Sequence, residues 1–126
     1  MLENEISKIT ELEHVGLALV QFAKSLVPGT SFEQSEGGRW IARPRNFVTF
    51  EIHWQRVRNI ALSLRGNPTE FLPHEELPLK AGMGGYAECR ITSVRQLAAA
   101  SSYISRAAEI SLKGATRVRT RPVLIK

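Results

Sequence analysis

Between Phe47 and Arg65 apolar and polar residues alternate in two runs. Val48, Phe50, Ile52 and Trp54 fall on one parity and Thr49, Glu51 and His53 on the other; further on, Ile60, Leu62 and Leu64 alternate with Ala61, Ser63 and Arg65. A period of two is what a strand with one buried face requires, so the segment predicts a β-hairpin. Its connection is Gln55 to Asn59, and because no Asn-Gly or Asp-Gly pair marks a tight turn, a longer loop is expected. The parity of Trp54 places its ring in the core.

The rest of the chain is read as cover for this hairpin. Leu2, Ile6, Ile9, Leu12, Gly16, Leu19, Ala23 and Leu26 recur at spacings of three and four, an amphipathic helix that begins at the chain start or at a capping box over Thr10 to Glu13 and stops at Pro28-Gly29. Ser31 to Ser35 and Arg39 to Arg43, separated by Glu36-Gly37-Gly38, predict a smaller hairpin with Phe32, Trp40 and Ala42 inward. Gly66 to Gly85 is punctuated by prolines and glycines and predicts an irregular loop anchored by Phe71, Leu72, Leu77 and Leu79. Tyr86 to Thr92 alternates again as a strand. Ser93 and Gln96 then form a capping box for a closing helix with Val94, Leu97, Ser101, Ile104 and Ala108 on its buried side, ended by Gly114. Thr116 to Lys126 is a basic segment without an acid, read as an extended arm, an edge strand or a disordered terminus. The expected fold is therefore α+β: an antiparallel sheet of about four or five strands covered on one face by an N-terminal and a C-terminal helix, with residues 1–115 as the domain and 116–126 as the arm.

Composition agrees with one domain, since 126 residues, 43% of them hydrophobic, suffice for a single core. The longest apolar run near the start, Val15 to Val20, is far too short to span a bilayer, and no secretory pattern opens the chain. No membrane partner is expected. With a lone Cys89 no internal disulfide can form, which favours a reducing, cytoplasmic setting. Charge is uneven: residues 1–36 carry two lysines against six glutamates, and residues 37–126 carry the other fifteen cations against six glutamates. Either the basic part meets a polyanion or the acidic helix neutralises it.

Sequence excludes more chemistry than it suggests. All twelve acids are glutamates, so Ser-His-Asp triads and Asp-based metal nucleases are ruled out. His14, His53 and His74 lack zinc spacings, and His74-Glu75-Glu76 in a proline-rich loop does not supply them; no metal or cofactor is expected. Gly82-Met83-Gly84-Gly85 has no following lysine or helix, which excludes a phosphate-cradling loop. Cys89 between Ala87 and Ile91 reads as a small buried hydrophobe.

The run Arg39-Trp40-Ile41-Ala42, the hairpin Phe47 to Leu64 with its basic turn, Gly84-Gly85-Tyr86-Ala87-Glu88-Cys89-Arg90-Ile91, and Thr92-Ser93 leading to Leu97, Ala100 and Ile104 resemble a small domain found at the C-terminus of so-called predicted transport proteins. The resemblance covers Trp40 to Ala108 and implies an α+β fold; that family offers no active residues to carry over. From the residues themselves, the leading expectation is a non-enzymatic accessory module that binds nucleic acid, or a nucleic-acid-associated protein, through Arg39, Arg43, Arg45, Arg56, Arg58, Arg117, Arg119 and Arg121. A protein-interaction module using a sheet edge or the C-terminal arm is the alternative, and a glutamate-based hydrolase the least favoured.

Overall fold

The structure, a computed structural model, describes the backbone of residues 1–125 and the side chains of residues 1–114. Its centre is an antiparallel sheet of six strands: β1 (Ser31–Gln34), β2 (Trp40–Arg43), β3 (Val48–His53), β4 (Asn59–Arg65), β5 (Lys80–Ala81) and β6 (Tyr86–Ile91). They lie in the order β1-β2-β3-β4-β6-β5. Helices α1 (Leu2–Ile6), α2 (Glu13–Leu26) and α3 (Leu97–Ile125) complete the fold, and the two long ones pack together on one face of the sheet.

The alternating pattern sets the register. Val48 faces Leu64, Phe50 faces Leu62 and Ile52 faces Ile60, and all six side chains are buried beneath the helices. Sliding one strand by one residue would expose its whole apolar set. At about 1.5–3 kcal/mol for each large apolar side chain, re-exposing those three costs roughly 5–9 kcal/mol, comparable to an entire domain's stability. Leu19, Val20 and Ala23 of α2 and Ala100, Tyr103, Ile104 and Ala107 of α3 close over this floor.

Several sequence expectations need correction. The sixth strand is β5, two residues within a segment expected to be irregular throughout, recruited by pairing Lys80 with Glu88 and Ala81 with Ala87. Of the two starts expected for the N-terminal helix, the one at Thr10 is the one observed: the chain leaves a separate short α1 after Ile6 and re-enters through a 3-10 turn at Thr10–Leu12. The box over Thr10 to Glu13 is not made, because the Glu13 carboxylate accepts from the Ser7 hydroxyl instead, at 2.8 Å. By contrast, Ser93 and Gln96 form their box, which nucleates a 3-10 turn at Val94–Gln96 leading into α3; Val94 is thereby exposed rather than buried. Leu72 is also no anchor, being 78% exposed, whereas Phe71 and Leu77 are buried. Gly114 does not end α3, whose backbone continues to Ile125 with no extended arm before that point.

Cys89 faces the core, and burial pushes its thiol up to about 12. The thiolate is the nucleophile, so native protein at about pH 8 should resist alkylation while urea-unfolded protein labels fully; equal labelling rates would show that β6 is not sealed against the helices.

Candidate functional site

The face of the sheet turned away from α2 and α3 is where chemistry-bearing side chains collect. Strand parity puts Glu33 of β1, Ile41 and Arg43 of β2, Thr49, Glu51 and His53 of β3, Ala61, Ser63 and Arg65 of β4, Tyr86, Glu88 and Arg90 of β6 and Lys80 of β5 on that face. Arg39, just before β2, joins them through its ion pair with Glu51 at 3.8 Å. The face thus carries five cations against three glutamates.

At its middle the side chains are short. Thr49, Ala61 and Ser63 floor a hollow of about 70 Å³ whose rim is Arg39, Glu51, Lys80, Glu88 and Arg90. Glu51 lies between Arg39 and His53, whose Nε2 is 3.6 Å from its carboxylate, a separation too long for a good hydrogen bond. His53 lines the neighbouring cavity rather than this one. Two glutamates therefore converge on the hollow, and the histidine that meets Glu51 does so from the neighbouring cavity.

That second cavity, about 410 Å³, lies under the β3–β4 loop and is bordered by His53, Trp54, Arg56 and Val57. Arg90 borders both, so the hollow and the loop form one track across the face. Trp54 is not in the core. β3 ends at His53, the chain peels away, and the indole is 38% exposed with the Lys8 ammonium 4.6 Å above its ring. Arg56 at the tip is exposed and makes no ion pair among the described residues.

Arg58 is spent on the fold. Its guanidinium donates to both oxygens of Glu11 at 3.0 and 3.1 Å, to the Lys8 carbonyl at 3.1 Å and to the Trp54 carbonyl at 3.4 Å. A hydrogen bond at its own backbone and then this guanidinium hold the Glu11 carboxyl below its usual range. Arg58 thus clamps the bend after α1 to the hairpin loop.

Of the arginines singled out from sequence, Arg39 and Arg43 stand on the open face, in loose pairs with Glu51 and Glu33 at 3.8 and 3.9 Å. Arg45 is half-exposed in the β2–β3 connection without an ion pair among the described residues, and Arg56 is at the loop tip. The side chains of Arg117, Arg119 and Arg121 lie outside the described residues. Sequence reasoning missed Arg65, Lys80 and Arg90. The parity of Arg65 and Arg90 is legible in sequence and that of Lys80 is not, and only the β4-β6-β5 order brings the three beside β3.

Among the described residues no group of histidine, cysteine and glutamate side chains is arranged to hold a metal, and no helix is long and apolar enough to cross a membrane. No family model, curated protein or solved structure matches the chain.

Proposed function

We propose that this protein is an accessory module that binds single-stranded nucleic acid on the open face of its sheet. The observation that carries the reading is the convergence of Arg39, Arg43, Arg65, Lys80 and Arg90 from different strands onto one uncovered face, continuous with an exposed tryptophan and a free arginine at the β3–β4 loop. Cations spaced along a track meet a phosphate backbone. An exposed indole beside guanidinium groups offers a base a stacking surface. Duplex is a poorer fit, because its bases are already stacked and a broad sheet face does not enter a groove as a helix or ribbon does.

Fluorescence anisotropy with short labelled strands tests this. Binding of a single strand should weaken about a hundredfold between roughly 50 and 200 mM salt if some five phosphates are neutralised, and Trp54→Ala and Arg56→Ala should each reduce affinity. No binding at low salt would overturn the reading. The same incubation tests hydrolysis: cleavage of the strand, abolished by Glu51→Gln, would replace a binding module with an enzyme. Membership of the small-domain family found in predicted transport proteins is proposed on the residue pattern alone, and a protein partner taken at the β1 edge is the competing reading. It is favoured by the exposure of that four-residue strand, and would appear as partner capture lost on Gln34→Pro, because the Gln34 N–H lies on the side away from β2 and its side chain is on the opposite parity from the open face.

A further inference from the structure

The hollow at the centre of the open face has unspent hydrogen-bonding capacity. Among the described residues the carboxylates of Glu51 and Glu88, the Ser63 hydroxyl and the Lys80 ammonium form no hydrogen bond, although all four line one small cavity. Glu51 is shared between Arg39 and His53. Glu88 is not: it forms no ion pair among the described residues, and its cross-strand partner is Lys80.

Glu88 is also held in place. The backbone of Gly82 closes against its side chain so tightly that a Cβ there would come within 2.8 Å of Cγ and 3.0 Å of Oε2. Gly82 itself is fixed by donating its N–H to the Tyr86 carbonyl at 2.7 Å. The outcome is a carboxylate with two acceptor oxygens that form no hydrogen bond among the described residues, on the same hollow as an ammonium with only donors, over a floor of the short side chains Thr49, Ala61 and Ser63.

An acceptor pair beside a donor is the complement of one nucleobase edge. Guanine presents two adjacent donors, N1–H and the N2 amine, followed by the O6 acceptor. Adenine and cytosine each present a single amine beside a bare ring nitrogen, which a carboxylate repels, and uracil and thymine one imino donor between two carbonyls. Resting on the single-strand reading above, we infer that the hollow selects a guanine within the bound strand: Glu88 accepts from N1–H and N2–H, Lys80 donates to O6, and Arg39 and Arg90 hold the flanking phosphates.

The test uses the full chain and thymidine octamers with one central residue varied. Central guanine should bind about tenfold more tightly than central adenine, cytosine or thymine, the range one bidentate base contact supplies. Central hypoxanthine, which lacks only the N2 amine, should lose most of that preference, since a site built to accept that hydrogen bond is left unpaired. Glu88→Gln and the cavity-filling Ala61→Leu should each flatten the preference while the salt-dependent affinity for plain oligothymidine persists. Equal affinity for all central bases would overturn the guanine site and leave strand binding standing, whereas guanosine monophosphate binding as tightly as the strand would overturn the placement of that guanine within a bound strand. Failure to bind any strand removes both. The hypoxanthine comparison involves no substitution in the protein and so does not depend on a variant folding.

Discussion

Removing a single oxygen from Tyr103 is expected to loosen the longest connection in the molecule. Tyr103 is buried in α3, and its hydroxyl accepts the His74 backbone N–H at 3.0 Å while donating to the Leu77 carbonyl at 2.6 Å. Burial pushes that hydroxyl above its ordinary value, so it remains a donor through neutral pH. Phenylalanine keeps the ring, which meets Phe71 and His74 edge-on at 5.8 and 5.2 Å, but strands two backbone groups where water cannot readily replace the partner. At about 1–3 kcal/mol for each unsatisfied group, Tyr103→Phe should cost roughly 2–4 kcal/mol, a drop of roughly 5–15 °C in melting temperature for a domain of this size. Amide exchange should locate the loss. The His74 amide should accelerate more than that of Leu62 in β4, because Arg106 donating to the Glu70 carbonyl and Gln96 to the Glu76 carbonyl still tether the loop's two ends, both at 2.8 Å. An unchanged melting temperature together with unchanged exchange at His74 would refute this account of how the loop is held.

This loop shows what the sequence could and could not reveal. Period-two alternation from Val48 to Leu64 and again from Tyr86 to Ile91 specifies the buried faces of three strands directly, because a strand's parity is a local property. The same holds for the Ser93 to Gln96 box and for the apolar faces of α2 and α3. Partnership between distant segments is not local. Nothing in Tyr103 itself says that its hydroxyl meets His74 and Leu77, and a tyrosine among alanines reads as core without a named partner. Likewise Trp54 continues the parity of Ile52, yet the strand stops one residue earlier, and parity has no meaning once pairing ends. The contact made by its ring is with Lys8, 46 residues earlier and just as invisible to local parity.

The candidate site follows the same rule. The hairpin's outward residues, Thr49, Glu51, His53, Ala61 and Ser63, carry almost no positive charge, and from sequence that argues against a binding role for this face. The sheet supplies what the hairpin lacks, with Arg39 and Arg43 from one side and Arg90 and Lys80 from the other. Small residues in the centre and long charged ones at the rim make a hollow out of an otherwise flat surface. Short side chains at 49, 61 and 63 are neighbours within the hairpin, yet they read in sequence only as solvated strand positions, because nothing but strand order reveals the long charged residues that wall them in.

Gly66 is where the sheet, the loop and α3 meet, and substitution there should destabilise the fold more than at any exposed glycine. Its φ is +126°, a conformation that L side chains rarely adopt, and its N–H donates to the Gly85 carbonyl at 2.9 Å, closing the ladder between β4 and β6. A Cβ would lie 2.8 Å from Ile110 Cδ1 and 3.0 Å from Phe71 Cε1. Backbone strain of about 1–3 kcal/mol and overpacking of about 1–3 kcal/mol therefore act together, and Gly66→Ala should lose roughly 2–5 kcal/mol in urea unfolding. The two costs separate in a double-mutant cycle. Ile110→Val removes the Cδ1 atom and should return about 1 kcal/mol of the loss, while the strain and the Phe71 contact remain. Complete recovery would mean that the left-handed backbone costs nothing here, and no recovery would mean that α3 is not what Gly66 makes room for.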